Sequence, residues 1–131
     1  NNPNYKKSQI NKYKVYLIDV GNKHCILLNY PAKEKIAKEI IKYDKELNVS
    51  FVKIINRKLI KIKTYERGVG FTLSCGSASL ASSIILNKLN LIDHEVNIKV
   101  TEGNLKVSLK QEYSLIGSSK FVYKGEINER I

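Results

Sequence analysis

The sequence predicts an α+β fold in which a strongly curved, mostly antiparallel, barrel-like β-sheet wraps around a central helix, with a second helix on the surface. About eight short segments alternate apolar and polar residues, as strands with one buried face do. The segment after Cys75 is apolar and rich in small residues, so a sheet could approach it closely. Residues 32–44 repeat apolar side chains at helical spacing among lysines and glutamates, which is typical of a surface helix.

The predicted elements follow one another without a linker or low-complexity tract. Residues 13–20 and 24–30 are predicted strands joined by a turn at Gly21 and Asn22, and Pro31 is well placed to open the helix over 32–44. A hairpin over residues 49–65 leads into a glycine-rich bend and the helix that follows Cys75. The remaining predicted strands are residues 96–100, 105–109, 113–116 and 121–127.

Length and composition are those of one domain. The chain has 131 residues, of which 43% are hydrophobic and 27% charged, and this length can close a core without disulfides or metals. Residues 1–11 are predicted to be a flexible leader, and residues 12–131 a single domain. Because the chain begins at Asn1 and contains no Met, we expect a fragment, a processed form or a natural half-protein.

Several classes of protein and site are not expected. No segment approaches the ~20 apolar residues of a membrane helix, so a soluble, cytoplasmic protein without a membrane partner is predicted. Cys25 and Cys75 form no metal-binding or redox spacing, so we expect neither a disulfide nor a metal. The formal charge of +11 comes from 20 lysines and 3 arginines spread along the chain. Since arginine carries most specific nucleic-acid recognition, we attribute the charge to composition and predict no nucleic-acid partner.

Cys75 is the residue that says most about function. It lies where a strand or turn opens into a helix, and the first amides of a helix have no internal partner and favour negative charge. A thiol there suits proton transfer, because it can both give and accept a proton. The alternative is a small core residue, which is how we interpret Cys25 in its apolar strand.

Six blocks of the sequence resemble the diaminopimelate epimerases, which are cofactor-independent amino-acid epimerases. The blocks are residues 19–24, 47–52, 65–70 with Thr72, 75–77, 102–105 and 121–127. They match the second half of such enzymes, which are built from two similar halves with one catalytic cysteine in each. The resemblance therefore implies that the N-terminal half is missing and that this chain is inactive without it.

The resemblance also implies roles for single residues. One cysteine would remove the α-proton of the substrate and the other would return a proton to the opposite face, with no cofactor. Cys75 would be one of this pair, Glu66 an acidic neighbour that pairs with the substrate or with Cys75, and His24 the neighbour of the thiol in the other half. The predicted substrate-binding residues are Asn22 and Asn48 for the distal amino-acid end, Arg67 for the distal carboxylate, and Gly76 and Ser77 for the reacting carboxylate.

Each of these roles has a structural alternative. Glu66 and Arg67 would point to opposite faces of a regular strand, so both reach a pocket only if the chain bends at the following glycines; otherwise they form an exposed ion pair. His24 could be a hydrogen-bonded structural residue. Asn22 and Asn48 could be turn residues.

The chain departs from the family pattern at three places beside the predicted site. Lys23 stands where the family usually has proline, Phe71 replaces a common glutamate, and Ala78-Ser79 replaces a Gly-Ala pair. None of these changes removes a residue with a predicted chemical role.

Two other functions remain open from the sequence. The half could act as a homodimer that pairs two copies of Cys75 across a two-fold axis, as a racemase of another amino acid such as histidine or glutamate. It could also be a non-catalytic binding or structural module derived from the same family.

Overall fold

The computed structural model describes residues 4–73 and 75–110 with their side chains, and residues 113–117 and 121–125 as backbone strands. Within this part of the chain there are ten strands and two helices. The strands are β1 Lys6–Ile10, β2 Tyr13–Asp19, β3 Lys23–Leu28, β4 Asn48–Asn56, β5 Leu59–Glu66, β6 Gly70–Phe71, β7 Glu95–Lys99, β8 Asn104–Leu109, β9 Tyr113–Gly117 and β10 Phe121–Gly125. The helices are α1 Glu34–Tyr43 and α2 Gly76–Lys88.

All ten strands belong to one mixed sheet. Its order is β1-β2-β3-β4-β5-β7-β8-β9-β10, and β6 pairs with β5 beside this path. The β3/β4 and β5/β7 pairs are parallel and the other pairs are antiparallel. The ten strands and two helices confirm the predicted α+β class and the mostly antiparallel sheet. Among the described residues the edge strands β1 and β10 do not pair with each other, so the sheet is open.

Helix α2 is the centre of the larger core. Every residue from Ala78 to Leu86 is buried, including the three serines at 79, 82 and 83. Apolar residues of β2, β3, β4, β5, β7 and β8 pack with α2 in one cluster. Small side chains let the strands approach the helix closely, which is the role that the sequence predicted for them.

Helix α1 covers the other face of the sheet. Ile36, Ala37 and Ile40 are its buried residues, and they pack in a cluster with residues of β1, β2, β3 and β4. Strand β3 lies between the two helices, so His24 to Leu27 are all buried, with Ile26 in the α2 cluster and Leu27 in the α1 cluster. A strand that is buried on both faces has a nearly continuous apolar sequence, as β3 has from Cys25 to Leu28.

The prediction of a flexible leader over residues 1–11 was wrong for residues 6–10. Lys6–Ile10 is antiparallel to β2, Ile10 is only 1% exposed, and the ring of Tyr5 lies 5.8 Å from that of Tyr16. Because lysines and other polar residues occupy the first four positions of β1, the sequence shows no alternation of apolar and polar residues there. The second unpredicted strand is the two-residue β6, where the sequence indicated only a bend.

The described residues include most of the two strands that were predicted near the C-terminal end of the sequence. β9 and β10 correspond to the strands predicted over 113–116 and 121–127, while residues 126 and 127 lie outside the described residues. No helix in the described part of the chain combines the length and apolar character that crossing a membrane requires.

Candidate active site

The β2–β3 turn positions Asn22. The amide of Gly21 donates to Asp19 Oδ1 over 2.9 Å, and the amide of Val20 donates to the carbonyl of Asn22 over 3.2 Å. Gly21 has a φ of +110°, a conformation that residues with a Cβ rarely adopt. The glycine therefore permits a turn that holds Asn22 at the rim of the sheet, where it is exposed.

His24 follows on β3 and is completely buried. Its Nε2 lies 3.1 Å from Asn22 Oδ1, and because an amide oxygen can only accept, Nε2 carries the hydrogen. Burial lowers the pKa of His24 to about 4, although the nearby Asp19 opposes the shift. The imidazole is therefore neutral at pH 7, and its Nδ1 has no hydrogen-bond partner in the described part of the chain.

Cys75 is the N-cap residue of α2. It has extended backbone angles, φ −141° and ψ 110°, its carbonyl accepts from the amide of Ser79 over 3.1 Å, and its side chain caps no amide. Gly76 and Ser77 are then the first two helical residues, whose amides have no acceptor within the helix. The thiol is half-buried, so it is within reach of a small molecule.

Ser77 links the thiol to the β2–β3 turn. Its Oγ lies 3.5 Å from Cys75 Sγ and 3.5 Å from Asn22 Nδ2. Since Asn22 Nδ2 can only donate, the hydroxyl hydrogen of Ser77 is left for the sulfur. The four side chains of Cys75, Ser77, Asn22 and His24 thus form one hydrogen-bonded series, which we call the thiol relay.

Asn48 holds two loops together from the start of β4. It is 5% exposed, lies opposite His24 in the parallel β3/β4 pair, and donates from Nδ2 to the carbonyl of Lys23 over 3.4 Å. Its Oδ1 accepts from the amide of Arg67 over 3.1 Å. Both ends of its side-chain amide are thus used by the backbone, and its predicted contact with substrate stays a prediction.

Glu66 and Arg67 lie at a sharp bend. β5 ends at Glu66, residues 67–69 form the loop to β6, and the amide of Val69 donates to the carbonyl of Glu66 over 3.0 Å. Gly68 and Gly70 have φ values of +77° and +104°, as the predicted bend requires. The two side chains form no ion pair with each other, and Arg67 is exposed while Glu66 is half-buried.

The three departures from the family pattern each have a structural counterpart. Lys23 Nζ lies 3.3 Å from Glu46 and 3.7 Å from Asp44, and the bond to Glu46 is the largest cause that raises the pKa of Lys23. These pairs tie the turn to the α1–β4 loop in the absence of a proline. Phe71 packs edge-on against Tyr65, with ring centroids 5.2 Å apart. Ala78 and Ser79 are both fully buried in α2.

Sequence reasoning missed a buried polar pair behind the site. Ser50 Oγ and Thr64 Oγ1 lie 2.9 Å apart in the β4/β5 pair, and the carbonyl of Thr64 accepts from the amide of Thr72 over 3.1 Å. Thr72 is thereby held between the bend and Cys75, and its own Oγ1 is buried without a partner in the described residues. Only the pairing of the strands brings these hydroxyls together, so the sequence carries no signal for them.

Cys25 is fully buried, and burial raises the pKa of its thiol to about 12, so it is the core residue that the sequence indicated. No group of three or more metal-ligating side chains occurs in the described ranges.

The fold resembles that of one class of solved structures. A phenazine biosynthesis protein of the PhzF family from Enterococcus faecalis has a TM-score of 0.61 at 17% identity, with 72% of this chain and 37% of that chain covered. A PhzF family protein from Bacillus anthracis has a TM-score of 0.59 at 16% identity, with 88% and 39% covered. At these identities the likeness concerns the fold.

Sequence comparison then defines the family. The family model described as diaminopimelate epimerase matches residues 16–127, and the chain belongs to this family. The diaminopimelate epimerase of Clostridium perfringens is 35% identical over 120 residues, which are 86% of this chain and 43% of that protein. That of Caldanaerobacter subterraneus is 36% identical over 124 residues, which are 88% and 45%. The chain thus spans less than half the length of these relatives.

Proposed function

We propose that this chain is the Cys75-bearing half of a cofactor-independent amino-acid epimerase that interconverts the stereoisomers of diaminopimelate. The observation that carries the proposal is the thiol relay, in which Ser77 Oγ lies 3.5 Å from Cys75 Sγ at the start of the buried helix α2. The family match over residues 16–127 supports the same activity. A second thiol, from the N-terminal half, completes the reaction.

The proposed reaction moves one proton on each face of the substrate. One thiolate takes the proton from the α-carbon and becomes a thiol, while the electron pair of the C–H bond delocalises into the carboxylate. The opposite thiol then protonates the α-carbon from the other side and becomes a thiolate. Cys75 takes either role, depending on which stereoisomer is bound.

Ser77 supports the charged state of Cys75 in this scheme. When Cys75 is a thiolate it can only accept, so the hydroxyl of Ser77 donates to sulfur, while the donor group of Asn22 keeps that hydroxyl oriented. Hydrogen bonds to a charged acceptor are worth about 1.5–3 kcal/mol, roughly twice those between neutral groups. The relay thus offers a hydrogen-bond donor to the sulfur while it carries the negative charge.

The first turn of α2 is suited to the reacting carboxylate. The amides of Gly76 and Ser77 open a helix of 13 residues, and such amides favour an anion by about 0.3–1 kcal/mol, or up to ~2 kcal/mol in a partly buried site. The negative charge that develops on the carboxylate as the α-proton leaves would be stabilised there. We propose that Arg67, Asn22 and Asn48 bind the distal end of the substrate, and that Glu66 pairs with the substrate or with Cys75.

Solvent-deuterium incorporation at the α-carbon of diaminopimelate tests the proposal. The 131-residue chain is assayed alone, mixed with the N-terminal half of a diaminopimelate epimerase, and joined to that half in one polypeptide. We expect incorporation only when both halves are present. Incorporation by the chain alone at a rate that rises with the square of its concentration would instead favour a homodimer.

Two cysteine variants make the test specific to the thiol. In the joined protein, Cys75→Ala should abolish exchange, because it removes the acid/base group. Cys25→Ala is the matched control, since that thiol is fully buried in the core and should leave the rate nearly unchanged. Normal exchange by the Cys75→Ala protein would refute the two-thiol mechanism.

A further inference from the structure

Three lysines lie side by side across adjacent strands on the face of the sheet opposite α2. Lys53 of β4 is the register partner of Lys61 of β5, and Lys61 is the register partner of Lys99 of β7. All three are exposed. Strands are about 4.8 Å apart, so the row carries three positive charges over about 10 Å.

This lysine row differs from two lysines of the neighbouring region, which do form ion pairs. Lys106 and Lys110 of the neighbouring region both pair with Glu95, at 3.7 Å and 2.9 Å. Within the described residues none of Lys53, Lys61 and Lys99 forms an ion pair. Like charges directly opposite each other destabilise a sheet, so the row costs stability unless an anion neutralises it.

The lysine row borders a groove. The groove has a volume of about 440 Å³, and its lining includes Lys53, Lys61, Lys99, Tyr30 and Phe51. None of the described residues that line it is acidic. This volume falls within the roughly 300–1,000 Å³ of small-molecule sites, and a concave surface lined by one sign of charge concentrates ions of the opposite sign.

The apolar side of the groove is fixed in place. The hydroxyl of Tyr30 accepts from the amide of Lys14 over 3.0 Å, and its ring lies 5.4 Å from that of Tyr13. Phe51 is 4% exposed and packs in the α1 cluster. The groove therefore combines an ordered apolar wall with a linear array of cations.

We propose that this groove is a binding site for an oligophosphate group, separate from the Cys75 site. A linear oligophosphate carries a negative charge on each phosphate, so that successive phosphates can contact successive lysines. Lysine binds phosphate as a point charge and needs no bidentate geometry. A nucleoside triphosphate and free inorganic triphosphate share this group, and the apolar wall favours the ligand that also carries a ring.

Calorimetric titration of the 131-residue chain distinguishes these ligands. Inorganic triphosphate, ATP, AMP, adenosine and citrate are titrated at two ionic strengths. We expect saturable binding of both triphosphates that weakens with salt, tighter binding of ATP than of inorganic triphosphate, and far weaker binding of AMP and adenosine. Citrate carries three carboxylates without the linear phosphate chain, and it should bind more weakly than either triphosphate.

A triple substitution tests whether the lysine row is the site. Lys53→Gln, Lys61→Gln and Lys99→Gln together should weaken triphosphate binding by at least about tenfold. The matched control replaces three exposed lysines outside the groove, Lys7, Lys42 and Lys45, by glutamine. The groove variant should also unfold at a higher temperature than the control, because it relieves the repulsion, so unfolding cannot account for the lost affinity.

Three results would overturn the proposal. The first is no saturable binding of either triphosphate at about 1 mM. The second is an equal loss of affinity in the groove and control variants, which would show only that net charge attracts the anion. The third is equal affinity for citrate and the triphosphates, which would show that the site does not select the phosphate chain.

Discussion

Asn22 and Ser77, which are 55 positions apart in the sequence, lie 3.5 Å from each other between Nδ2 and Oγ. One belongs to the β2–β3 turn and the other to the first turn of α2. Through this contact the buried, neutral His24 is connected to the half-buried thiol of Cys75. The surroundings of the sulfur thus depend on the geometry of a turn on another strand pair.

Removal of the Ser77 hydroxyl should make Cys75 less reactive at neutral pH. In Ser77→Ala the sulfur loses its hydroxyl donor, and the greater intrinsic nucleophilicity of the less stabilised thiolate offsets part of the effect, so we expect the alkylation rate at pH 7 to fall by about threefold. The measurement is the rate of iodoacetamide labelling between pH 6 and 10, in a Cys25→Ala background. Ser108→Ala, at a half-buried serine of β8, is the control. An unchanged rate in Ser77→Ala would contradict the relay.

His24 should make the protein less stable as the pH falls from about 6.5 to 4. Its folded pKa is lowered to about 4 by burial, so the unfolded state binds more protons in this window and the free energy of unfolding decreases with falling pH. The full loss for His24 is about 3 kcal/mol and is complete below pH 4. Urea denaturation at several pH values measures it.

His24→Gln is the comparison for this pH dependence. Glutamine keeps a donor for Asn22 Oδ1 but does not titrate. Between pH 6.5 and 4 the free energy of unfolding should fall less steeply in the variant than in the unsubstituted protein. At lower pH, where carboxylates titrate, the free energy of unfolding should change equally in both proteins. Parallel curves for the two proteins would show that His24 does not charge on unfolding.

Two neighbouring serines of α2 should respond in opposite ways to alanine. Ser82 Oγ is buried with no hydrogen-bond partner in the described residues, whereas Ser83 Oγ donates to the carbonyl of Ser79 over 2.8 Å. Ser82→Ala removes an unsatisfied group and should raise the free energy of unfolding by about 1 kcal/mol. Ser83→Ala should lower it by about 0.5 kcal/mol, because its hydrogen bond is lost.

Chemical denaturation measures both serine variants, and each is the control of the other. Both changes are Ser to Ala on the same buried helix, so helix propensity contributes equally. Equal effects of the two substitutions would show that hydrogen bonding of the hydroxyl does not decide the outcome.

Loss of the Asn48 side chain should loosen two loops together. Asn48→Ala leaves the amide of Arg67 and the carbonyl of Lys23 without their partner, and should destabilise the protein by about 1–3 kcal/mol. Hydrogen exchange should rise at the amide of Arg67 in particular. Asn97→Ala, at an exposed position of β7, is the control and should change stability by less than about 0.5 kcal/mol. Unaltered exchange at Arg67 would mean that Asn48 does not hold the bend.

The helices and most strands could be predicted because their periodicity is local. Apolar residues at helical spacing identified α1, and alternation identified the hairpins of β4/β5 and β7/β8. β1 was missed because lysines occupy its exposed positions, and only pairing with β2 buries Ile10. Two-residue strands such as β6 are too short to have a period at all.

The sequence by itself determined the fold class, the family and the positions of the chemical groups, because motifs and turn residues such as Cys75-Gly76-Ser77 and Gly21-Asn22 are local in the chain. Only the tertiary structure decided that Asn22 contacts Ser77, that Asn48 holds the bend at Arg67, that His24 is buried and neutral, and that three lysines stand in one row. These relationships depend on which strands lie side by side and in which register. Register and burial are set by long-range pairing, which no local pattern records.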